Sequence, residues 1–224
     1  MIVLGIETST EVGSVALIKD KVVLGEITLN QPRNHSAQLI PAIGALLSLL
    51  GVDLEDLEGI SVGLGPGSFT GLRVGLSTAK GLALALGKPL VGIPSPDALA
   101  RNFPVEGLLC ILMDAKRGLL YMGLYRDGER IGPLRAVSPL GALEALRGKK
   151  VTLVGDGVRL YPEVFEDVPG FRIYPPPVHP SAAAVALLGE ERLRHGQPDD
   201  LSGLTPLYLR PPDAELKEEK RGDP

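Results

Sequence analysis

Cysteine is almost missing from this chain. The single thiol, Cys110 in GLLCILMD, excludes an internal disulfide, and its place in an apolar strand makes it a poor nucleophile. Tryptophan is absent and aromatic residues make up only 4% of the 224, against 44% hydrophobic, so the core is aliphatic. Histidine is scarce as well. His35, His179 and His195 are far apart, and neither HxxxH nor HExxH occurs, so no metal site is expected and His35 reads as a structural residue near the start of a helix. Blocks of Lys and Arg are missing too: 27 acidic residues outnumber 23 basic ones, giving a net charge of −4. That balance lacks the electrostatic footprint of a nucleic-acid binder, and any RNA would have to be met through a partner. No apolar run approaches the roughly 20 residues that cross a bilayer, and MIVLGIETS has no cationic leader, so a cytosolic protein is expected. G-x-S-x-G is absent, which removes the commonest serine-nucleophile signature.

What is present is a pattern that occurs twice. Ile2, Leu4 and Ile6, then Val15 and Leu17, then Val22, Leu24 and Ile27 alternate in period two around a KDK turn, which predicts a three-stranded meander. From residue 107 the same arrangement returns: GLLCILMD, GLLYMGLY and RIGPLRAV form three strands, with RDGE as a turn. Each meander leads into a helix (34 to 51; 138 to 148), a short strand ending in glycine (59 to 65; 151 to 157) and another helix beginning near Thr70 and Val158. The chain is therefore expected to be an α/β protein with a duplicated βββαβα unit, its lobes spanning 1–103 and 104–210. A helix over 180–196 has only the short SPDALA as counterpart, and the charged 211–224 reads as a solvated tail.

Such a duplication resembles the actin, Hsp70 and sugar-kinase superfamily with its ribonuclease H-like halves, which implies nucleotide between the lobes and phosphates on the two first turns. The candidate contacts here are Glu7, Thr8 and Ser9 in one half and Asp114, Gly155, Asp156 and Gly157 in the other. The first turn, ETSTE, has two carboxylates and no glycine, so phosphate would meet repulsion there. GPGSFTG at 65 to 71 fits neither Walker A nor GxGxxG, and reads instead as a turn in which Ser68 or Thr70 caps the next helix. In that helix Gly71, Gly75, Ala79 and Ala83 recur every four residues, a ridge without side chains that lets something pack very close.

LGIETSTEVGSVAL, NHSAQLIPAI, GPGSFTGLRVGLSTAKGLA and PLYLR together resemble the TsaB family, most specifically through GPGSFTGLRVG. The resemblance implies a non-catalytic scaffold subunit of the bacterial complex that forms N6-threonylcarbamoyladenosine at position 37 of tRNAs reading codons that begin with A. It implies the catalytic subunit TsaD and the ATPase TsaE as partners, a homodimer when alone, contact with tRNA only through the complex, no membrane, and ATP or ADP only within the assembly. TsaD carries a metal-binding His-x-x-x-His where Ser95 and Leu99 stand here. The partner surface implied is the helix pair around GPGSFTG, with Leu39, Ile43, Leu46, Gly71, Arg73, Val74, Gly75, Thr78, Ala79 and Leu82. The rival expectation is an active ATP-dependent small-molecule kinase or ATPase of the same superfamily, which calls for glycine-rich phosphate turns in both halves.

Overall fold

A computed structural model describes residues 1–30, 35–103, 106–174 and 178–210. The tail expected over 211–224 lies outside them, as do two residues of the expected boundary between lobes. The first unit runs β1 (Ile2–Glu7), β2 (Gly13–Lys19), β3 (Val22–Leu29), α1 (His35–Leu50), β4 (Gly59–Gly63), α2 (Phe69–Leu86), β5 (Leu90–Ile93) and α3 (Ser95–Arg101). The second runs β6 (Leu108–Asp114), β7 (Leu120–Arg126), β8 (Glu129–Arg130), β9 (Arg135–Val137), α4 (Pro139–Leu146), β10 (Val151–Val154), α5 (Asp156–Leu160), α6 (Pro162–Phe165), β11 (Phe171–Ile173) and α7 (Ala182–Arg194).

The two sheets repeat one order, β3-β2-β1-β4-β5 and β11-β10-β6-β7-β8, with β9 also paired to β7. In each, the meander is antiparallel and the strands after it add in parallel. The central strands are buried along nearly their whole length, because alternate residues fill opposite faces and both faces are covered. Leu4 and Ile6 point into a core shared with Leu39, Ile43, Leu46 and Ala79, whereas Val3 packs with Ile18 and Ala186 of α7. In the second sheet Leu109, Ile111 and Met113 meet Leu99 and Ala100 of α3, and Cys110 and Leu112 meet Ala142, Leu146 and Phe165 on the outer side. Five layers result: α1 and α2, the first sheet, α7 with α3, the second sheet, and α4 to α6.

Three features depart from the sequence reading. The third strand of the second meander breaks into β8 and β9, because Gly132 at φ 76° and the donorless Pro133 interrupt the ladder. The helix from Val158 is cut at Pro162 into α5 and α6. The short strands β5 and β11 complete the duplication. The expected division at 103 also separates sheets but not helices. The last helix α7 lies on β1, β2, β4 and β5 of the first sheet, and α3 lies against β6 of the second. Gly5 permits this approach, since a Cβ there would sit 2.2 Å from the Ala182 carbonyl oxygen.

Candidate functional site

Between the sheets, where the strand ends β1 and β6 face one another, lies a cleft of about 470 Å³. Ser9, Thr10 and Glu11 of the first turn, Gly67, Ser68 and Phe69 at the start of α2, Asp114, Ala115 and Lys116 after β6, and Asp156, His179, Tyr208 and Arg210 line it. Of the expected contacts, Ser9, Asp114 and Asp156 come together here. Glu7, Thr8, Gly155 and Gly157 do not line it. Glu7 is fully buried behind the turn, where it accepts hydrogen bonds from the Ser9 N–H (2.6 Å) and the Ser95 hydroxyl (2.8 Å). Burial pushes its carboxyl above the ordinary range, against these donors, which pull it down. Thr8 is buried under α2 and donates through Oγ1 to the Gly71 carbonyl. Gly155 and Gly157 press against the Leu112 carbonyl oxygen, 2.1 and 2.8 Å from where their Cβ atoms would stand.

The charges in the cleft are largely spoken for. Lys116 pairs with Asp114 at 2.8 Å, and the Arg210 guanidinium donates to the Ala115 and Lys116 carbonyls. Asp156 accepts the Asp114 N–H at 3.0 Å, and its burial pushes its carboxyl up. With Glu11, three carboxylates face two cations already engaged by the protein, a poor cradle for a polyphosphate. Phe69, Tyr208 and Arg210 escaped the sequence reading, and only the PLYLR segment carried a hint of the last two.

GPGSFTG has a structural explanation in the same place. The Ser68 hydroxyl, not that of Thr70, caps α2 by accepting from the Gly71 N–H, and the Ser68 N–H donates to the Ser9 carbonyl at 2.7 Å. Cβ atoms at Gly67, Gly71 and Gly75 would fall 2.1, 2.2 and 2.2 Å from Ser9 O, Thr8 O and Thr8 Oγ1. The ridge therefore receives the protein's own first turn. This corrects the surface expected for a partner: Gly71, Gly75 and Ala79 are buried, Leu39, Ile43 and Leu46 fill the first lobe's core, and Val74 and Leu82 pack against it. Of that set Arg73 is exposed and Thr78 half-buried.

The opposite side of the helix pair is the open one. Ile40, Leu49 and Leu84 are 54%, 79% and 77% exposed, beside exposed Pro41, Ala45, Ser77 and Ala85. Gly44 and Gly81, inside α1 and α2, have nothing within 4 Å of a Cβ position. Each loosens its helix by about 1 kcal/mol relative to alanine, with no contact inside the chain to require it.

Ser95 and Leu99 both sit in α3 and point inward. Ser95 accepts from the Gly65 N–H while donating to Glu7, and Leu99 belongs to the second lobe's core. Among the described residues no group of three or more His, Cys, Asp or Glu is arranged to hold a metal ion, and no helix is long and apolar enough to cross a membrane.

Two like sheets, each with its parallel extension, and a cleft at the ends of β1 and β6 define an actin-like fold. A family model described as TsaD, tRNA N6-adenosine threonylcarbamoyltransferase, matches residues 22–217. The tRNA threonylcarbamoyladenosine biosynthesis protein TsaB of Bacillus subtilis is 34% identical over 97% of both chains, and that of Escherichia coli 32% identical over 73% of this chain and 75% of its own. The solved structure of YeaZ from Pseudomonas aeruginosa superposes with a TM-score of 0.79 at 27% identity, covering 93% of this chain and 99% of its own. The chain belongs to the TsaB (YeaZ-like) family, and shares its fold with the family described by the TsaD model.

Proposed function

We propose that this protein acts in the formation of N6-threonylcarbamoyladenosine on tRNA, as a scaffold subunit that docks a TsaD-type catalytic subunit on the outer face of α1 and α2. The observation that carries this is the pairing of Gly44 and Gly81 with Ile40, Leu49 and Leu84, an apolar surface whose backbones are bare where a partner helix would close on them. The same face serves a second copy of this chain when the catalytic subunit is absent. TsaE joins as the ATPase, and tRNA is met through the partners, in keeping with a net charge of −4.

A role without its own chemistry accords with the cleft. Its cations are engaged by Asp114 and by backbone carbonyls, and the buried Glu7 is locked to Ser95. Nucleotide would then be held within the assembly. The decisive experiment mixes the purified protein with its organism's TsaD and measures mass by sedimentation, with wild type and a Gly81→Arg variant in parallel. A stable complex formed by the wild type alone supports the reading. No complex with TsaD, or one indifferent to Gly81→Arg, rejects it.

A further inference from the structure

After α7 the chain returns along the first lobe and crosses to the second. Asp199 donates its N–H to the Leu90 carbonyl and accepts the Gly92 N–H, Leu204 enters the first core, and the Leu207 N–H reaches the Leu64 carbonyl at 2.8 Å. Leu209 then packs in the second lobe's core, and Arg210 hydrogen-bonds the carbonyls of Ala115 and Lys116 in the turn between β6 and β7. Midway, Tyr208 lies against the start of α2. Its ring centroid is 5.3 Å from that of Phe69, its hydroxyl accepts from Arg73 Nε at 3.3 Å, and the Arg73 guanidinium covers the other partner, 3.7 Å from the Phe69 ring. Phe69, Tyr208 and Arg210 all line the cleft, while Arg73 is exposed on α2.

We propose that residues 204–210 form a strap across the mouth of the cleft that couples the first turns of α2 to the β6–β7 turn. Seven residues hold to both lobes, so their span cannot lengthen freely. An arginine stacked on an aromatic ring keeps its orientation better than a free one. Release at the Arg73–Phe69–Tyr208 stack therefore loosens the grip of Arg210 on the second lobe, and the reverse. The strap's bearing on assembly rests on the docking reading above, because Arg73 is the member that a docked subunit would reach. The strap itself does not rest on that reading.

Hydrogen exchange on the full chain tests the coupling. The Arg73→Ala variant loses its contacts with Phe69 and Tyr208, away from the second lobe, yet is expected to speed exchange about tenfold at the Ala115 and Leu119 amides, which close the β6–β7 turn. Arg210→Ala loses the bonds to the Ala115 and Lys116 carbonyls in the second lobe, and is expected to do the same at the Leu72 amide, which bonds Ser68. Tyr208→Ala removes the shared member and should raise both. Amides of β1 and β2 should not change. Effects confined to the side of each variant's own lost contacts, or a uniform rise that includes β1, would overturn the strap. Adding TsaD should slow exchange at Ala115 and Leu119 in the wild type but not in Arg210→Ala. Failure of this last arm alone counts against the docking reading and leaves the strap standing.

Discussion

Gly81→Arg separates two roles that most interface mutations confuse. Position 81 is in the interior of α2, exposed, with no atom within 4 Å of its Cβ position. In the monomer the arginine side chain extends into water, and the helix exchanges a poor former for a good one, a gain of about 0.8 kcal/mol. For a chain of this size that raises Tm by roughly 2 to 3 °C. In the complex the same guanidinium would be buried without a partner where two helices close together, a loss of about 3 to 5 kcal/mol. At about 1.4 kcal/mol per decade, association should weaken by roughly two to four orders of magnitude. Calorimetry of the chain alone, at a dilution where sedimentation shows the monomer, and sedimentation with TsaD give the two numbers, which must move in opposite directions. A fall in Tm would mean that Gly81 packs inside the fold, and an undiminished complex would place the partner elsewhere. Either result refutes the reasoning.

Other outcomes follow from the interior. Gly71→Ala forces a methyl onto the Thr8 carbonyl oxygen, 2.2 Å away, and should lower stability by about 3 kcal/mol in chemical denaturation, whether or not a partner is present. The Glu7 carboxyl titrates above its unfolded value of 4.5, so the stability linked to it is complete below that value and lost as pH rises through the folded one. Glu7→Gln should accordingly flatten the dependence of Tm on pH over the acidic range above 4.5, and Ser95→Ala, which removes a donor to the ionised form, should cost more at pH 8 than at pH 5. The Cys110 thiol is fully buried and pushed well above its ordinary range, so an aromatic disulfide reagent should react with it only as fast as the chain opens.

The meanders and the duplication were legible because short aliphatic runs bounded by turn residues are a local property, although β1, β2, β6 and β7 are buried almost throughout and do not alternate strictly. The ridge at 71, 75, 79 and 83 was equally legible, but its target was not. A helix with two bare sides, Gly71–Gly75–Ala79 and Ser77–Gly81–Ala85, offers no internal sign of which one meets the fold. What decides is the carbonyl oxygen of Thr8, more than sixty positions away. Wide apolar stripes on α1 likewise mixed Leu39, Ile43 and Leu46, which are buried, with Ile40 and Leu49, which are not. Glu7 looked like a phosphate-facing acid until Ser95 came to it from the far side of β4. Tyr208 and Arg210 complete the cleft through contacts with residues 135 and 95 positions earlier, and no periodicity encodes those.

The exchange of inner helices has a consequence for synthesis. The first sheet leaves the ribosome before the second, yet Val3, Ile18, Val91 and Ile93 depend on α7, which is translated after both. Until then that face of the sheet has no cover, and the nascent lobe has every strand it needs but only half of its core. The second lobe is better served, because α3 precedes it and waits for β6 to arrive. Completion of the first lobe is thus deferred until the second lobe's strands have been made. A chain truncated before residue 182 would lose the fold of its first lobe, although the missing piece follows the second in sequence.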